Sequence, residues 1–533
     1  MKILFVSSEG LPFSKTGGLA DVVEALPKAL VELGHEVAVV LPRYRGVKAN
    51  TIVLPSLTIP LGTRLRFPAV VTAEPELHAS EPTAAGSQAA TGSPPSVRPA
   101  EGTTRAGHRP APTASGVRYF FVDDAEYFDR EKLYGTTNGD YPDNAERFAE
   151  FSRAAIEIAK QVWQPDLLHC HDWQTALVPV LLRTVYAADS AVSRLPCVFT
   201  VHNMGYHGLF RREALARVGL PEELFQIRGL EFFGNVNYLK GGLVFADYIT
   251  TVSRRYAQEI QTPEYGHGLE GVAASRADRL VGILNGVDYS VWSPEADKFI
   301  AAKYSAKDLS GKEACKRDLL AEFKLPEEAM ARPLIGIVSR FVDQKGFDLI
   351  AEAISALMKE KLTIVALGTG DARYESLFTQ MATAFAGKFG VRIGFDNALA
   401  HKIEAGSDMF LMPSRYEPSG LNQMYSLRYG TVPVVRATGG LDDTIEHFDG
   451  RSGKGSGFKF GAYSGRALLG CVREALAAFR DKAAWRKLMA NGMAKDFSWY
   501  ASAREYVALY ERARGGETGG RKGRIPRAVT TSN

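Results

Sequence analysis

Short apolar runs alternate with amphipathic, helix-like segments along most of this 533-residue chain. This alternation is typical of a parallel sheet whose strands are connected by helices. In the first half of the chain the predicted strands are Lys2–Ser7, Glu36–Leu41, Tyr119–Asp123, Leu167–His169, Val198–His202, Tyr248–Val252 and Leu280–Leu284. After a break near Pro294 the pattern restarts, with strands predicted at Leu334–Ser339, Leu362–Leu367, Arg392–Gly394, Met409–Met412 and Val432–Val435. We therefore expect an α/β fold with two doubly wound domains.

The same pattern predicts the domain limits. The first domain is predicted to span 1–290 and the second 291–495, and a helix over 496–514 is predicted to pack back on the first domain. From Ala73 to Gly116 the chain is rich in Pro, Ala, Ser, Thr and Gly, which cannot support a packed core, so we predict a disordered surface insertion. The Gly- and Arg-rich tail, 515–533, is predicted to be disordered as well.

Composition argues against several classes of partner. The formal net charge is only +4, and much of the excess lies between Arg521 and Arg527, so we expect neither a nucleic-acid nor a membrane partner. The four cysteines are widely spaced with no C-x-x-C pair, which disfavours a disulfide framework and favours a reducing compartment. Because the N-terminus passes directly into a strand-like run and no apolar stretch approaches the roughly 20 residues of a membrane span, we expect a cytoplasmic protein.

The loop from Lys15 to Asp21, with the sequence KTGGLAD, lies between a predicted strand and the helix-like segment Val22–Leu33. Its two glycines allow a ligand to approach the backbone, the start of the helix presents unpaired N–H groups, and Lys15 adds a positive charge. These features predict a phosphate site. The alternative is that Gly17 and Gly18 only make a tight turn.

Two predicted strand ends in the second domain carry charged groups. Arg340 follows one strand, and Lys345 lies five residues later, at the start of a helix. A guanidinium and an ammonium at one turn are suited to hold a diphosphate, although a solvated basic loop would look the same. After the strand Met409–Met412, Glu417 precedes Gly420 at another helix start, where it is placed either to bind sugar hydroxyls or only to cap the helix.

The first domain carries a matching group of polar residues. His171-Asp172-Trp173 follows one predicted strand, and His202 ends another. Histidine, aspartate and an aromatic ring offer hydrogen bonds and a stacking surface for carbohydrate. A metal at His169 and His171 would need a third ligand that the chain does not supply, so we predict a site without a metal.

Taken in order, six motifs resemble the motif series of bacterial glycogen synthases and plant starch synthases. They are Lys15–Asp21, His171-Asp172-Trp173, Asn285-Gly286-Val287-Asp288, Arg340 with Lys345, Glu417-Pro418-Ser419-Gly420-Leu421 and Thr438-Gly439-Gly440. The resemblance extends from Met1 to about Arg512, apart from the insertion. It implies a GT-B type fold, in which two Rossmann-like domains, an acceptor-side one and a nucleotide-sugar-binding one, face a deep cleft.

The resemblance also implies an activity. The family transfers glucose from ADP-glucose to the non-reducing end of an α-1,4-glucan such as glycogen, retains the anomeric configuration and releases ADP. ADP-glucose is then a substrate, and neither a cofactor nor a metal is expected. The resemblance favours departure and attack on one face of the sugar, but a covalent intermediate on a carboxylate remains open.

The implied residue roles fall into three groups. Glu417, His171, Arg340 and Lys345 correspond to the catalytic residues, with Arg340 and Lys345 gripping the diphosphate and Glu417 holding the sugar hydroxyls. The donor-binding group is Lys15, Gly18, Asn285, Phe395, Ser419, Gly420 and Leu421, with Phe395 beside the adenine. Asp21 and Asp172 lie on the acceptor side.

Other functions remain open at this point. A transferase with a small acceptor, of the sucrose or trehalose type, would share the architecture, and so would a catalytically silent glucan-binding homologue. A dehydrogenase is disfavoured because Arg373 stands where the third glycine of a Gly-x-Gly-x-x-Gly motif belongs. The preference for ADP over UDP rests on the resemblance alone, and the oligomeric state is open.

Overall fold

The computed structural model describes residues 1–73 and 116–515, so most of the predicted insertion and the tail beyond Gly515 lie outside the described residues. The strands are β1 (Lys2–Val6), β2 (Glu36–Pro42), β3 (Thr51–Leu54), β4 (Ile59–Leu61), β5 (Arg64–Arg66), β6 (Ala69–Thr72), β7 (Arg118–Asp123), β8 (Gly135–Thr136), β9 (Gly139–Asp140), β10 (Leu167–His171), β11 (Cys197–Val201), β12 (Leu209–Arg211), β13 (Glu231–Phe232), β14 (Asn235–Asn237), β15 (Tyr248–Thr251), β16 (Leu280–Gly282), β17 (Leu334–Val338), β18 (Thr363–Gly368), β19 (Phe389–Ile393), β20 (Met409–Met412), β21 (Val432–Arg436) and β22 (Phe458–Phe460).

The helices are α1 (Gly18–Glu32), α2 (Ala125–Phe128), α3 (Asn144–Gln161), α4 (Leu177–Arg183), α5 (Ala214–Val218), α6 (Tyr238–Phe245), α7 (Arg254–Glu259), α8 (Glu270–Ser275), α9 (Ser310–Glu322), α10 (Phe347–Leu357), α11 (Ala372–Ala384), α12 (Asn397–Gly406), α13 (Asn422–Arg428), α14 (Gly439–Thr444), α15 (Gly465–Arg480), α16 (Lys482–Met493) and α17 (Trp499–Gly515). Within 1–73 and 116–515, no helix is long and apolar enough to cross a membrane.

The chain forms two compact units. Among the described residues, the first comprises those within Met1–Cys170, Leu177–Leu195 and Leu209–Val236, and the second comprises His171–Ala176, Pro196–Gly208 and 237–515. The limits at 1–290, 291–495 and 496–514 stay predictions.

The first unit is built on strands in the order β10-β1-β2-β7-β6-β3. Strands β10, β1, β2 and β7 are parallel, and β6 runs antiparallel to both β7 and β3. The central strand β1 is apolar from Ile3 to Val6, and all four of these side chains are fully buried, as expected for a parallel strand covered on both faces. The edge strand β3 was not predicted; it is only four residues long, and although Ile52, Val53 and Leu54 are apolar, its first two residues are exposed.

The second unit contains a parallel sheet in the order β19-β18-β17-β20-β21-β22, together with the parallel strands β16, β15 and β11. The predicted strands are confirmed to within a few residues. The largest shift at a strand start is in β19, which was predicted at Arg392–Gly394 and begins three residues earlier, at the buried Phe389. Helix α17 contacts β11 and buries Tyr506 and Tyr510 completely.

Candidate functional site

Three neighbouring strands of the six-stranded sheet place the candidate site. Strands β17, β20 and β21 are adjacent and parallel, so their carboxyl ends lie along one edge of the sheet. In sheets of this kind, ligands bind at that edge. The loops that follow these strands carry Arg340 and Lys345 after β17, Glu417 after β20 and the Thr438-Gly439-Gly440 segment after β21.

The structure brings Lys345 and Glu417 into direct contact. Lys345 Nζ donates to Glu417 Oε2 at 2.6 Å, and the Ser414 hydroxyl donates to the same oxygen at 3.0 Å. The Glu417 side chain is only 7% exposed, and that of Lys345 is 19% exposed. A charge-assisted hydrogen bond in such a protected place fixes the direction of the carboxylate. Arg340, in contrast, is exposed.

Backbone contacts hold the Glu417 loop from behind. The N–H of Gly440 donates to the Glu417 carbonyl at 3.0 Å, and the Ser253 hydroxyl donates to the Pro418 carbonyl at 2.6 Å. Gly439 has a φ of +45°, and a Cβ atom there would overlap the Glu417 carbonyl oxygen, just as one at Gly440 would overlap the Ser419 carbonyl oxygen. Glycine is therefore required at both positions.

Ser419, Gly420 and Leu421 lead from this loop into α13. Gly420 has a φ of +66°, and the Gln423 side-chain amide donates to the carbonyls of Ser419 and Gly420 at 3.1 Å each. The N–H groups of Gly420 and Leu421 have no acceptor within the part of the chain that the structure describes. Both remain available to a ligand at the sheet edge.

His171 and Asp172 meet His202 at the ends of β10 and β11. The Asp172 carboxylate accepts from the His202 backbone N–H at 2.7 Å, and His171 Nδ1 lies 3.0 Å from His202 Nε2. Burial lowers the pKa of His202 to about 3, so this ring is neutral near pH 7. The two facing ring nitrogens are within hydrogen-bond distance, so one ring donates and the other accepts, which couples the orientation of the two rings.

Asp172 also adopts a backbone conformation that is rare for any residue with a side chain. Its φ is 56° and its ψ is −178°, a region populated almost only by glycine and costing about 1–3 kcal/mol. The bond to His202 offsets part of this cost. Strain of this kind is concentrated at functional sites; the acceptor-side role of Asp172 stays a prediction.

Tyr416 extends the site toward the end of β11. Burial raises the pKa of its hydroxyl, while a hydrogen bond to the Asn203 side chain and the nearby charge of Arg340 act in the opposite direction. The Tyr416 ring lies 6.1 Å from that of His267. The residue before Glu417 therefore contacts groups that follow β11, although sequence reasoning did not select it.

The predicted phosphate loop belongs to the first unit and opens α1. Lys15 Nζ is paired with Asp21 Oδ1 at 2.6 Å, and both side chains are partly exposed. The buried Glu9 carboxylate accepts from the N–H groups of Thr16 and Gly17 at 2.5 and 3.2 Å. Sequence reasoning missed Glu9, which holds the loop. A Cβ atom at Gly18 would meet nothing within 4 Å, so this side of the loop is open.

Two predicted donor-binding residues are not brought into the Lys345–Glu417 contacts. Asn285 is buried, and its Oδ1 has no hydrogen-bond partner among the described residues, which suits a residue that contacts a ligand. Phe395 follows the edge strand β19 and is 91% exposed. Within 1–73 and 116–515, no group of three or more His, Cys, Asp or Glu side chains is arranged to hold a metal.

Two family models together match most of the chain. A family model described as the starch synthase catalytic domain matches residues 2–275, and one described as glycosyl transferases group 1 matches residues 321–478. The chain is 54% identical over 516 residues to a glycogen synthase of Koribacter versatilis, covering 96% of this chain and 98% of that protein. It is 46% identical over 512 residues to a glycogen synthase of Anaeromyxobacter sp., covering 96% and 99%.

Two solved structures are similar to this chain, one in sequence and fold and the other in fold alone. The chain is similar, with a TM-score of 0.79 and 32% identity, to the catalytic domain of starch synthase IV from Arabidopsis thaliana bound to ADP and acarbose; the match covers 96% of this chain and 99% of that one. Sucrose-phosphate synthase from Thermosynechococcus elongatus has a TM-score of 0.55 at 17% identity, covering 96% and 98%, which is a likeness of fold alone.

Proposed function

The chain belongs to the family of bacterial glycogen synthases and starch synthases, and on that premise we propose that it transfers glucose from ADP-glucose to the non-reducing end of an α-1,4-glucan and releases ADP. It is a retaining glycosyltransferase with a GT-B type α/β fold, as the motif series predicts. ADP as the leaving group is supported by the ADP-bound starch synthase IV structure. A sucrose-type acceptor has weaker support, because the sucrose-phosphate synthase likeness is one of fold alone.

The observation that carries this proposal is that the two carboxylate oxygens of Glu417 have different hydrogen-bonding environments. Oε2 accepts from both Lys345 and Ser414, whereas Oε1 has no partner among the described residues. A carboxylate held through one oxygen and open at the other is arranged to accept hydrogen bonds from a sugar ring. We assign Glu417 to the hydroxyls of the transferred glucose.

Lys345 and Arg340 are proposed to stabilise the departing diphosphate. Because Lys345 is already paired with Glu417, that pair contributes no net charge, and the exposed Arg340 supplies the excess positive charge that ADP requires as it leaves. The free N–H groups of Gly420 and Leu421 add dipoles aimed at the same anion. Each such donor typically supplies about 2.7–4 kcal/mol of transition-state stabilisation.

The other roles follow the resemblance. Lys15 and Gly18 are assigned to the donor phosphates, Asn285 and Ser419 to the donor, Phe395 to the adenine, and Asp21 and Asp172 to the acceptor. His171 is assigned a hydrogen bond to the sugar near the reacting carbon; its pairing with a neutral His202 orients the ring for that task. We propose that neither a metal nor a cofactor takes part.

We place the enzyme in the cytoplasm, where the glucan and ADP-glucose would be its partners. All four cysteines are buried and widely spaced in the sequence with no C-x-x-C pair, which suits a reducing compartment.

The proposal is tested with a panel of donors and acceptors. Purified enzyme is given ADP-glucose or UDP-glucose, with glycogen, fructose 6-phosphate or glucose as acceptor, and new products are separated and digested with an α-1,4-specific glucosidase. We expect rapid transfer from ADP-glucose to glycogen and release of the added glucose by the glucosidase. Transfer to a small sugar without incorporation into glycogen would overturn the assignment of the acceptor.

A further inference from the structure

Helix α7 contacts two of the three loops of the candidate site, the loop after β20 at one end and the loop after β21 at the other. It follows strand β15 directly, with Ser253 as its N-cap and Glu259 as its last residue. Ser253 and Glu259 are 0% and 4% exposed, respectively. Neither side chain was selected from the sequence, and the proposed mechanism does not use them.

At the first end, the Ser253 hydroxyl makes two hydrogen bonds. It accepts from the Tyr256 N–H at 3.1 Å, which caps the helix, and it donates to the Pro418 carbonyl at 2.6 Å. Serine has one donor and two acceptor positions, so a single hydroxyl can serve both partners. The residue that starts α7 therefore also fixes the residue after Glu417.

At the other end, the Glu259 carboxylate binds the loop after β21. Its two oxygens each lie 3.1 Å from the Gly439 N, and Oε1 accepts from the Thr438 hydroxyl at 3.1 Å. Arg255, on the same helix, donates to Glu259 at 3.2 Å. The carboxylate thus fixes the first peptide of α14.

Gly439, which Glu259 binds, is followed directly by Gly440, which contacts Glu417. The next N–H, that of Gly440, donates to the Glu417 carbonyl at 3.0 Å, and the backbones are too close to admit a Cβ atom at Gly439 or Gly440. A shift of Gly439 would therefore move the Glu417 backbone. Displacements of about 1 Å at a reacting group can cost about a hundredfold in rate.

We propose that Glu259 is a positioning residue for glucosyl transfer, acting through Gly439 and Gly440 on Glu417, with Ser253 as a second anchor on Pro418. This inference rests on the role proposed for Glu417.

The positioning role of Glu259 depends on the protonation state of its carboxyl group. Burial raises its pKa, while the hydrogen bonds from Gly439, Arg255 and Thr438 oppose the rise. Other titratable groups close to Glu259 are Tyr256 on α7 and, beside Arg255, Asp442 and Asp443 on α14. Protonation would leave only one of the two oxygens as an acceptor for the Gly439 N–H and weaken the pairing with Arg255, so we expect activity to fall on the acid side as Glu259, with its raised pKa, is protonated.

The experiment compares Glu259→Gln and Ser253→Ala with Glu505→Gln as a control. Glu505 pairs with Arg254 of α7 at the surface, so this control removes a carboxylate that contacts the same helix without touching the site. We expect kcat to fall about 10- to 100-fold in Glu259→Gln, with KM for glycogen changed less than twofold, and the acid limb of the kcat profile to disappear. Unchanged kcat with an unchanged acid limb would overturn the proposal.

Amide hydrogen exchange provides a second readout that does not depend on transfer. We expect faster exchange in peptides covering 417–421 and 438–441 of Glu259→Gln and Ser253→Ala, and unchanged exchange there in Glu505→Gln. Exchange identical to the wild type in both site variants would overturn the proposal, even if the enzyme transfers glucose. Failure of the wild type to transfer glucose would count against the proposed function instead. If Glu259→Gln does not fold, Glu259→Asp, which shortens the side chain that reaches the Gly439 N–H, replaces it in the kcat and exchange measurements.

Discussion

Lys345 Nζ lies 2.6 Å from Glu417 Oε2, although the two residues follow different strands and are 72 positions apart. The contact arises because β17 and β20 are neighbours in the sheet. It neutralises a buried carboxylate, orients it and leaves its second oxygen for a ligand.

Replacing Lys345 with Met should impair both folding and catalysis. The Glu417 carboxylate would lose its cationic partner, which costs about 1–3 kcal/mol of unfolding free energy, and the leaving diphosphate would lose a donor, which lowers kcat about 100- to 1,000-fold. Urea unfolding and initial rates measure the two effects. Lys487→Met, which changes an exposed lysine, is the control and should alter neither quantity. A Lys345→Met enzyme with normal kcat would contradict the role assigned to this lysine.

Two glycine substitutions should act in opposite directions. Gly440→Ala places a Cβ atom against the Ser419 carbonyl oxygen and should lower the unfolding free energy by about 1–3 kcal/mol. Because Gly440 also contacts the Glu417 carbonyl, we expect most of the activity to be lost. Gly470→Ala, at an exposed position of α15 with nothing within 4 Å of the new Cβ, should stabilise by about 0.5–1 kcal/mol. Thermal unfolding compares the two variants. A Gly440→Ala variant with wild-type stability and activity would show that the Ser419 carbonyl does not pack closely against position 440.

Asp172 should tolerate substitution by Asn better than by Ala. Asn keeps a side-chain oxygen that accepts from the His202 N–H, although it remains in the strained backbone conformation. Ala loses the hydrogen bond and keeps the strain, so we expect Asp172→Ala to lower the unfolding free energy about 1–2 kcal/mol more than Asp172→Asn does. Equal stability of the two variants would contradict the importance of this hydrogen bond.

His202 should make the fold sensitive to mild acid. Its pKa is about 3 in the folded chain and about 6.5 when unfolded. Above pH 6.5 both forms are neutral and the residue adds no pH dependence. Between 6.5 and 3 only the unfolded chain binds the proton, so stability falls as the pH falls, by up to about 1.4 kcal/mol per pH unit.

His202→Gln should remove that part of the slope. Urea unfolding at pH 7, 6 and 5 measures it, and His447→Gln, at an exposed histidine, is the control. If His202→Gln and the wild type show the same pH dependence, the ring is not buried as a neutral group.

Sequence patterns predict the strands of this protein well where both faces are buried. The apolar runs that became β17 and β20 have the lengths of parallel strands, and the polar residues after them were therefore found. The edge strand β3 was missed although Ile52, Val53 and Leu54 are apolar, and the structure leaves its residues exposed or only partly buried.

The pairings within the site could not be predicted in the same way. Lys345 and Glu417 were each chosen separately, because no local pattern states that β17 lies beside β20. Ser253 follows a predicted strand, and that position could have marked it, but its partner Pro418 lies 165 residues away. Glu9 was missed for a related reason, since an acid shortly after a strand looks like an ordinary loop residue until it is seen to hold Thr16 and Gly17.

The most direct test of the account is incorporation of labelled glucose from ADP-glucose into precipitable glycogen by the wild type and by Glu417→Gln. Binding of ADP is measured in parallel, so that a folded but inactive variant is recognised. We predict that the wild type incorporates glucose, that Glu417→Gln binds ADP and loses at least 100-fold in rate, and that UDP-glucose is a poor donor. A Glu417→Gln enzyme with the wild-type rate would contradict the assignment of the site.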